Sequence, residues 1–143
     1  MSFDKKEFFA RTMHTPDSPE RAALRSSLRD LSKALIPLHR ALIDAAKSDY
    51  AFGIAPVESP SHLLRLINDD PFFAWLKPLT SIIVEIDEMV RRDFEAADAI
   101  ALARRVETFL GGKEYVELLQ REVEVATGHA SVRKILGRLT AKN

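Results

Sequence analysis

Apolar residues recur along the chain in two long stripes. After the pair Ser18-Pro19, leucines stand at positions 24, 28, 31, 35, 38 and 42. The spacing alternates four and three, the seven-residue rhythm that places one apolar stripe on a helix. Arg21, Arg25, Arg29, Asp30, Lys33, Arg40 and Asp44 fall on the other face. The pattern predicts a helix from Pro19 to about residues 48–50, roughly 45 Å long at ~1.5 Å per residue. Pro37 lies inside it and removes one backbone donor, so a kink is expected near residues 33–37. The rhythm returns at Phe72, Leu76, Leu79, Ile83, Ile86 and Val90, widened by Trp75 and Ile82. This second stripe predicts a long helix from Pro71, again with an interior proline, Pro78.

Proline also marks beginnings. Ser18-Pro19, Ser59-Pro60 and Asp70-Pro71 each put a side-chain acceptor before a proline, the order of an N-cap and a first helical residue. Between the long helices, residues 50–59 hold Tyr50, Phe52, Ile54 and Val57 around Gly53 and Pro56. A connection so apolar is expected to pack on the helices. A short helix comes next, from Pro60 to about Asn68. Past Val90 the stripe changes phase, and Ala96, Ile100, Ala103, Val106 and Leu110 form a new one. A turn is therefore placed at residues 92–94 with Asp93 as cap, one continuous helix being the alternative. Gly111-Gly112 ends that helix. Another runs from Lys113 to about Thr127 with Val116, Leu119, Val123 and Ala126 inward. Gly128 is expected to interrupt it before a last piece, residues 131–139, carrying Val132, Ile135, Leu136 and Leu139. No segment alternates at period two long enough for a strand.

The expected fold is an all-α bundle of about four main helices, two of them long and proline-kinked, plus a short helix in the first long connection. One domain is expected over residues 1–143. Residues 1–17 are expected to form a less ordered N-terminal segment, and residues 129–143 a basic amphipathic C-terminal segment.

Composition narrows the class. With 46% hydrophobic residues among 143, a packed core is expected rather than disorder. The absence of cysteine removes disulfides, thiol nucleophiles and Cys-based metal sites. No apolar run approaches the ~20 residues of a membrane span, and the start of the chain lacks the apolar core of a signal peptide. A cytoplasmic location is the default expectation, and the style resembles small bacterial all-helical proteins, a resemblance that implies no functional residue. The net charge is zero. That zero is a cancellation: residues 1–40 carry +3, residues 41–100 −6, residues 101–124 −1 and residues 125–143 +4. The basic end is therefore expected to dock on the acidic middle, within the chain or across a dimer. Its cations are Arg133, Lys134, Arg138 and Lys142.

Motifs for chemistry are sparse. No Glu stands three residues before His14, His39, His62 or His129, and there is no His-Glu-x-x-His. Neither a metal site nor a cofactor is expected. Gly111-Gly112-Lys113 lacks the glycine and hydroxyl residue of a phosphate loop. Glu85, Asp87 and Glu88 fit a solvated helix face. His39, at the edge of the first stripe, reads as a boundary histidine with a hydrogen bond. If a small-molecule pocket exists, Tyr50, Phe52, His62 and Trp75, with His39, are the candidates, because aromatics with a few polar tips line such pockets. The alternative is a satellite apolar core under the long connection.

The expected function is non-catalytic: association with a protein partner, above all as a homo-oligomer. A second reading is a small-ligand or haem-type binding bundle using the five residues just named. A third is a regulator placing its basic C-terminal segment on nucleic acid, which the neutral total charge and the missing recognition motif disfavour.

Overall fold

Each of the three residue pairs that announce helices caps one. The computed structural model describes residues 17–140. The Ser18 hydroxyl accepts from the Arg21 N–H at 3.1 Å and starts α1, Pro19–Gly53. The Ser59 hydroxyl accepts from the His62 N–H at 3.0 Å and starts α2, Pro60–Asp69. The Asp70 carboxylate accepts from the Phe72 N–H at 2.9 Å, but the element it starts is a 3-10 helix, Pro71–Leu76. Four further helices complete the described residues: α3, Lys77–Met89; α4, Ala96–Leu110; α5, Lys113–Arg121; and α6, Val123–Thr140. Among the described residues there is no strand, and no helix is long and apolar enough to cross a membrane.

Pro78 explains the departure at residue 71. It has no N–H to offer Ala74, so an α-helix continuing from Pro71 would lose a bond there. The chain instead winds tightly to Leu76 and opens into α3 with Pro78 in its first turn, where a missing donor costs nothing. Pro78 is thus no interior proline. Pro37 is one, and α1 runs unbroken through it. At 35 residues α1 spans roughly 52 Å.

The expected turn near residue 93 is present, with a different cap. Glu95 is the N-cap of α4, and the Asp98 carboxylate accepts from the Glu95 N–H at 3.0 Å. Gly111 and Gly112 separate α4 from α5 as expected. The next break comes early, at Glu122, whose extended backbone divides α5 from α6. Gly128 interrupts nothing. It lies inside α6, where an added Cβ would come within 3.2 Å of the Leu38 side chain and 3.3 Å of its Cα. The missing side chain lets α6 approach α1, and these two helices share the most extensive packing in the fold.

The buried residues form one core cluster. Leu28, Leu31, Leu35, Leu38 and Leu42 are fully buried, as the first stripe predicts. Val132, Ile135, Leu136 and Leu139 meet them from α6. In α5 the predicted phase is one residue off, since Tyr115 and Leu118 point inward, and Val123, at the start of α6, is 80% exposed. Arg25 is the one buried charged residue among those described. Its guanidinium holds Asp17 through two bonds (2.8 and 3.1 Å), donates to the Val90 and Arg92 carbonyls (2.8 and 2.9 Å), and lies 5.0 Å from the Phe94 ring centre. The start of α1 is thereby tied to the turn that ends α3.

Candidate functional site

The five candidate pocket residues occupy separate settings. His39 bonds through Nε2 to the Thr80 hydroxyl at 3.0 Å, and burial lowers its pKa. Thr80 in turn donates weakly to the Leu76 carbonyl, at 3.4 Å. This is the boundary histidine that its position implies. Tyr50 is buried against Phe72 and Phe73, each with ring centres 5.5 Å away. Phe52 is 96% exposed. The reason is helical geometry: α1 continues to Gly53, so Phe52 lies about 200° around the axis from inward-facing Tyr50. Ile54 is exposed as well, whereas Ala55 and Val57 pack on the core, so only part of the apolar connection is covered. His62 uses Nδ1 to accept from the Glu58 N–H at 3.1 Å, closing the start of α2. Trp75 stacks on Phe109 with centres 6.0 Å apart and planes 13° from parallel.

From Trp75 a row of rings leads into the molecule. Phe109 meets Tyr115 at 5.6 Å, and Tyr115 meets His129 at 5.7 Å. The Tyr115 hydroxyl and His129 Nδ1 are 2.7 Å apart. Burial pushes the Tyr115 phenol well above its ordinary range, so it stays protonated. Burial, with Arg133 adding to it, holds the His129 pKa below its ordinary value and favours the neutral ring. Tyr115 and His129 were not among the candidates drawn from the sequence. No spacing rule joins them, because they meet only through the bend at Glu122.

Two clefts flank this row. One, of about 330 Å³, opens between Trp75, Pro78, Phe109 and Tyr115. The other, of about 530 Å³, lies between the 3-10 helix and α5, lined by Phe72, Trp75, Glu114, Glu117 and Leu118. Cations near both are neutralised. Arg105 grips Glu85 with two bonds of 2.8 and 2.6 Å, and that contact pulls the Glu85 carboxyl below its ordinary range. Arg121 binds Asp49 at 2.6 Å and Glu122 at 3.1 Å. Among the described residues no group of three or more His, Asp or Glu is placed to hold a metal ion.

A third concavity, larger than these two, lies elsewhere, along α1 and α6. It is an open groove of about 910 Å³ whose floor includes Ala34, Ile36, Pro37, Ala41 and Ile135. The helices run antiparallel: Arg138 bonds Asp30 at 3.1 Å, while Gly128 faces Leu38. Lys33, Lys134 and Arg138 therefore line one end, and Asp44 and Glu124 the other. The basic segment does dock within the chain, but on a different surface from the one its charge suggested. Arg138 meets Asp30 of α1, and Arg133 meets Glu107 of α4 at 3.7 Å. Val132, Ile135, Leu136 and Leu139 are buried in the common core, and α6 packs most extensively on α1, so the ion pairs add to an apolar contact. Lys142, His14 and the expected N-terminal segment up to residue 16 lie outside the described residues. Comparison with protein-family models, with curated proteins and with solved structures finds no match.

Proposed function

We propose that the protein acts through association, and that its partner is a second copy of itself seated on the groove between α1 and α6. The observation that carries this reading is the polarity of that groove. Its basic end and its acidic end lie on either side of a midpoint near Pro37 and Ser131. A two-fold axis through that midpoint sets Lys33 and Lys134 of one copy against Asp44 and Glu124 of the other. Each pairing then occurs twice, as an isologous interface requires. Arg40, one turn before Asp44, tempers the acidic end without reversing the pattern. Ile36, 48% exposed in the floor, supplies apolar area for the same contact. Lys33, Lys134, Asp44 and Glu124 form no ion pair among the described residues, so they are available to a partner.

Two double variants test the reading. Lys33→Glu with Lys134→Glu makes both ends acidic, and Asp44→Lys with Glu124→Lys makes both basic. Sedimentation is expected to show a dimer for the wild-type chain, monomers for each variant alone, and a mixed dimer when the variants are combined. A wild-type chain that stays monomeric at high concentration, or variants that remain dimeric, would end the proposal. High salt is expected to weaken the dimer, because the screening length falls from about 8–10 Å at ordinary ionic strength to about 3 Å at 1 M.

A further inference from the structure

A different surface supports a small-ligand site, independent of the α1–α6 groove. Its walls derive from two helical periods. A 3-10 helix has about three residues per turn, so residues i and i+3 eclipse. Phe72 and Trp75 stand at that spacing in the 3-10 helix, and both line the cleft of about 530 Å³. Across it, Glu114 and Glu117 stand at i and i+3 on α5, neighbours on one helical face. Ala46 and Leu118 add apolar surface. The volume falls within the range of small-molecule sites, roughly 300–1,000 Å³.

Charge selects the ligand class. Asp49 and Arg121, also in the lining, neutralise each other at 2.6 Å. Glu114 and Glu117 have no ion pair among the described residues, so the lining carries two uncompensated carboxylates beside two aromatic rings. An anion would be repelled here. A strongly hydrated metal ion would gain nothing from the rings. A weakly hydrated ammonium is attracted by both ring faces and carboxylates. We propose that the cleft between the 3-10 helix and α5 binds a small organic cation, with its ammonium group between the Phe72 and Trp75 rings and the Glu114 and Glu117 carboxylates, and its apolar part against Ala46 and Leu118.

The chain has one tryptophan, Trp75, which lines this cleft and the neighbouring one of about 330 Å³, so its fluorescence reports binding and the variants at Phe72 and Glu117, which line only the larger of the two, assign it. The full-length protein is titrated with choline and with 3,3-dimethyl-1-butanol, its uncharged isostere. Choline is expected to give a saturable change, with the alcohol binding about fivefold or more weakly. Glu114→Gln with Glu117→Gln is expected to weaken choline about fivefold, leaving the alcohol and the thermal melt unchanged. Phe72→Leu keeps apolar area but removes a ring, and should also weaken choline more than the alcohol. No saturable response, equal binding of the two probes, or a Gln variant that binds choline like the wild type would each overturn the proposal.

Discussion

Gly128 and Gly137 sit in the same helix and have opposite value to it. Glycine in a helix interior costs roughly 0.5–1 kcal/mol relative to alanine. At Gly137 a Cβ would meet nothing within 4 Å, so Gly137→Ala is expected to stabilise by about that amount. At Gly128 the same Cβ would press on Leu38, including its backbone at 3.3 Å. Overpacking a close helix contact costs roughly 1–3 kcal/mol, which outweighs the propensity gain. Gly128→Ala is expected to destabilise by about 1 kcal/mol, and urea unfolding of the two variants checks both signs. Two histidines make a second prediction at this scale. Burial lowers the pKa of His39, and burial with Arg133 lowers that of His129. The folded chain therefore binds protons less readily than the unfolded chain. The stability these groups contribute is present above the unfolded value of about 6.5 and is lost as pH falls through the lower folded values. Thermal melts are expected to drop between about pH 7 and pH 5, and less steeply in His39→Gln and His129→Gln. Glu85, also held low, loses its contribution only below the ordinary carboxylate range.

Elements were legible where the sequence states their physics directly. The leucine stripe from 28 to 42 marked the buried face of α1, and three capping residues marked three helical starts. Where two rules met, the pattern misled. Pro71 opens a helix and Pro78 lies in the first turn of the next, so the six residues Pro71–Leu76 wind as 3-10. Periodicity cannot separate that from a longer α-helix, because Leu76, Leu79 and Ile86 are buried in either case. At Glu122 the seven-residue rhythm through Leu118, Val125 and Val132 continues across the break and hides it. Gly128 looked like a stop because its reason lies on another helix, at Leu38. The same limit applies to the candidate site. Trp75 is legible as a candidate pocket aromatic, but Glu114 and Glu117 are about 40 residues away and carry no motif. Their role as a wall depends on how α5 meets the 3-10 helix. The cap of that helix can be tested directly. Asp70→Ala, removing the acceptor at 2.9 Å, is expected to cost about 1 kcal/mol and to perturb Trp75 emission, since that cap sets the 3-10 helix.

For the whole molecule, exposed ion pairs such as Arg105–Glu85 and Arg121–Asp49 contribute little each, roughly 0–1 kcal/mol, so they align helices more than they hold them. The core and the Arg25 junction hold the fold together. That junction has a kinetic meaning. Arg25 reaches carbonyls 65 and 67 residues further along the chain, whereas the stripes of α1 and α3 first need local turns. Contacts between segments so far apart carry the entropy of closing a long loop. They are expected to form after the rate-limiting step, once the stripes of α1 and α3 have met through contacts closer in sequence, such as His39 with Thr80. Arg25→Ala, which removes the guanidinium from beside Asp17, is expected to lower stability by about 3 kcal/mol. Nearly all of that should appear as unfolding faster by about a hundredfold, with the refolding rate close to unchanged. Stopped-flow measurements in urea read both arms, and a refolding arm that slows instead would place Arg25 in the folding nucleus. The guanidinium thus acts as a latch: it does little to guide the chain into its fold and much to set how long the folded chain lasts.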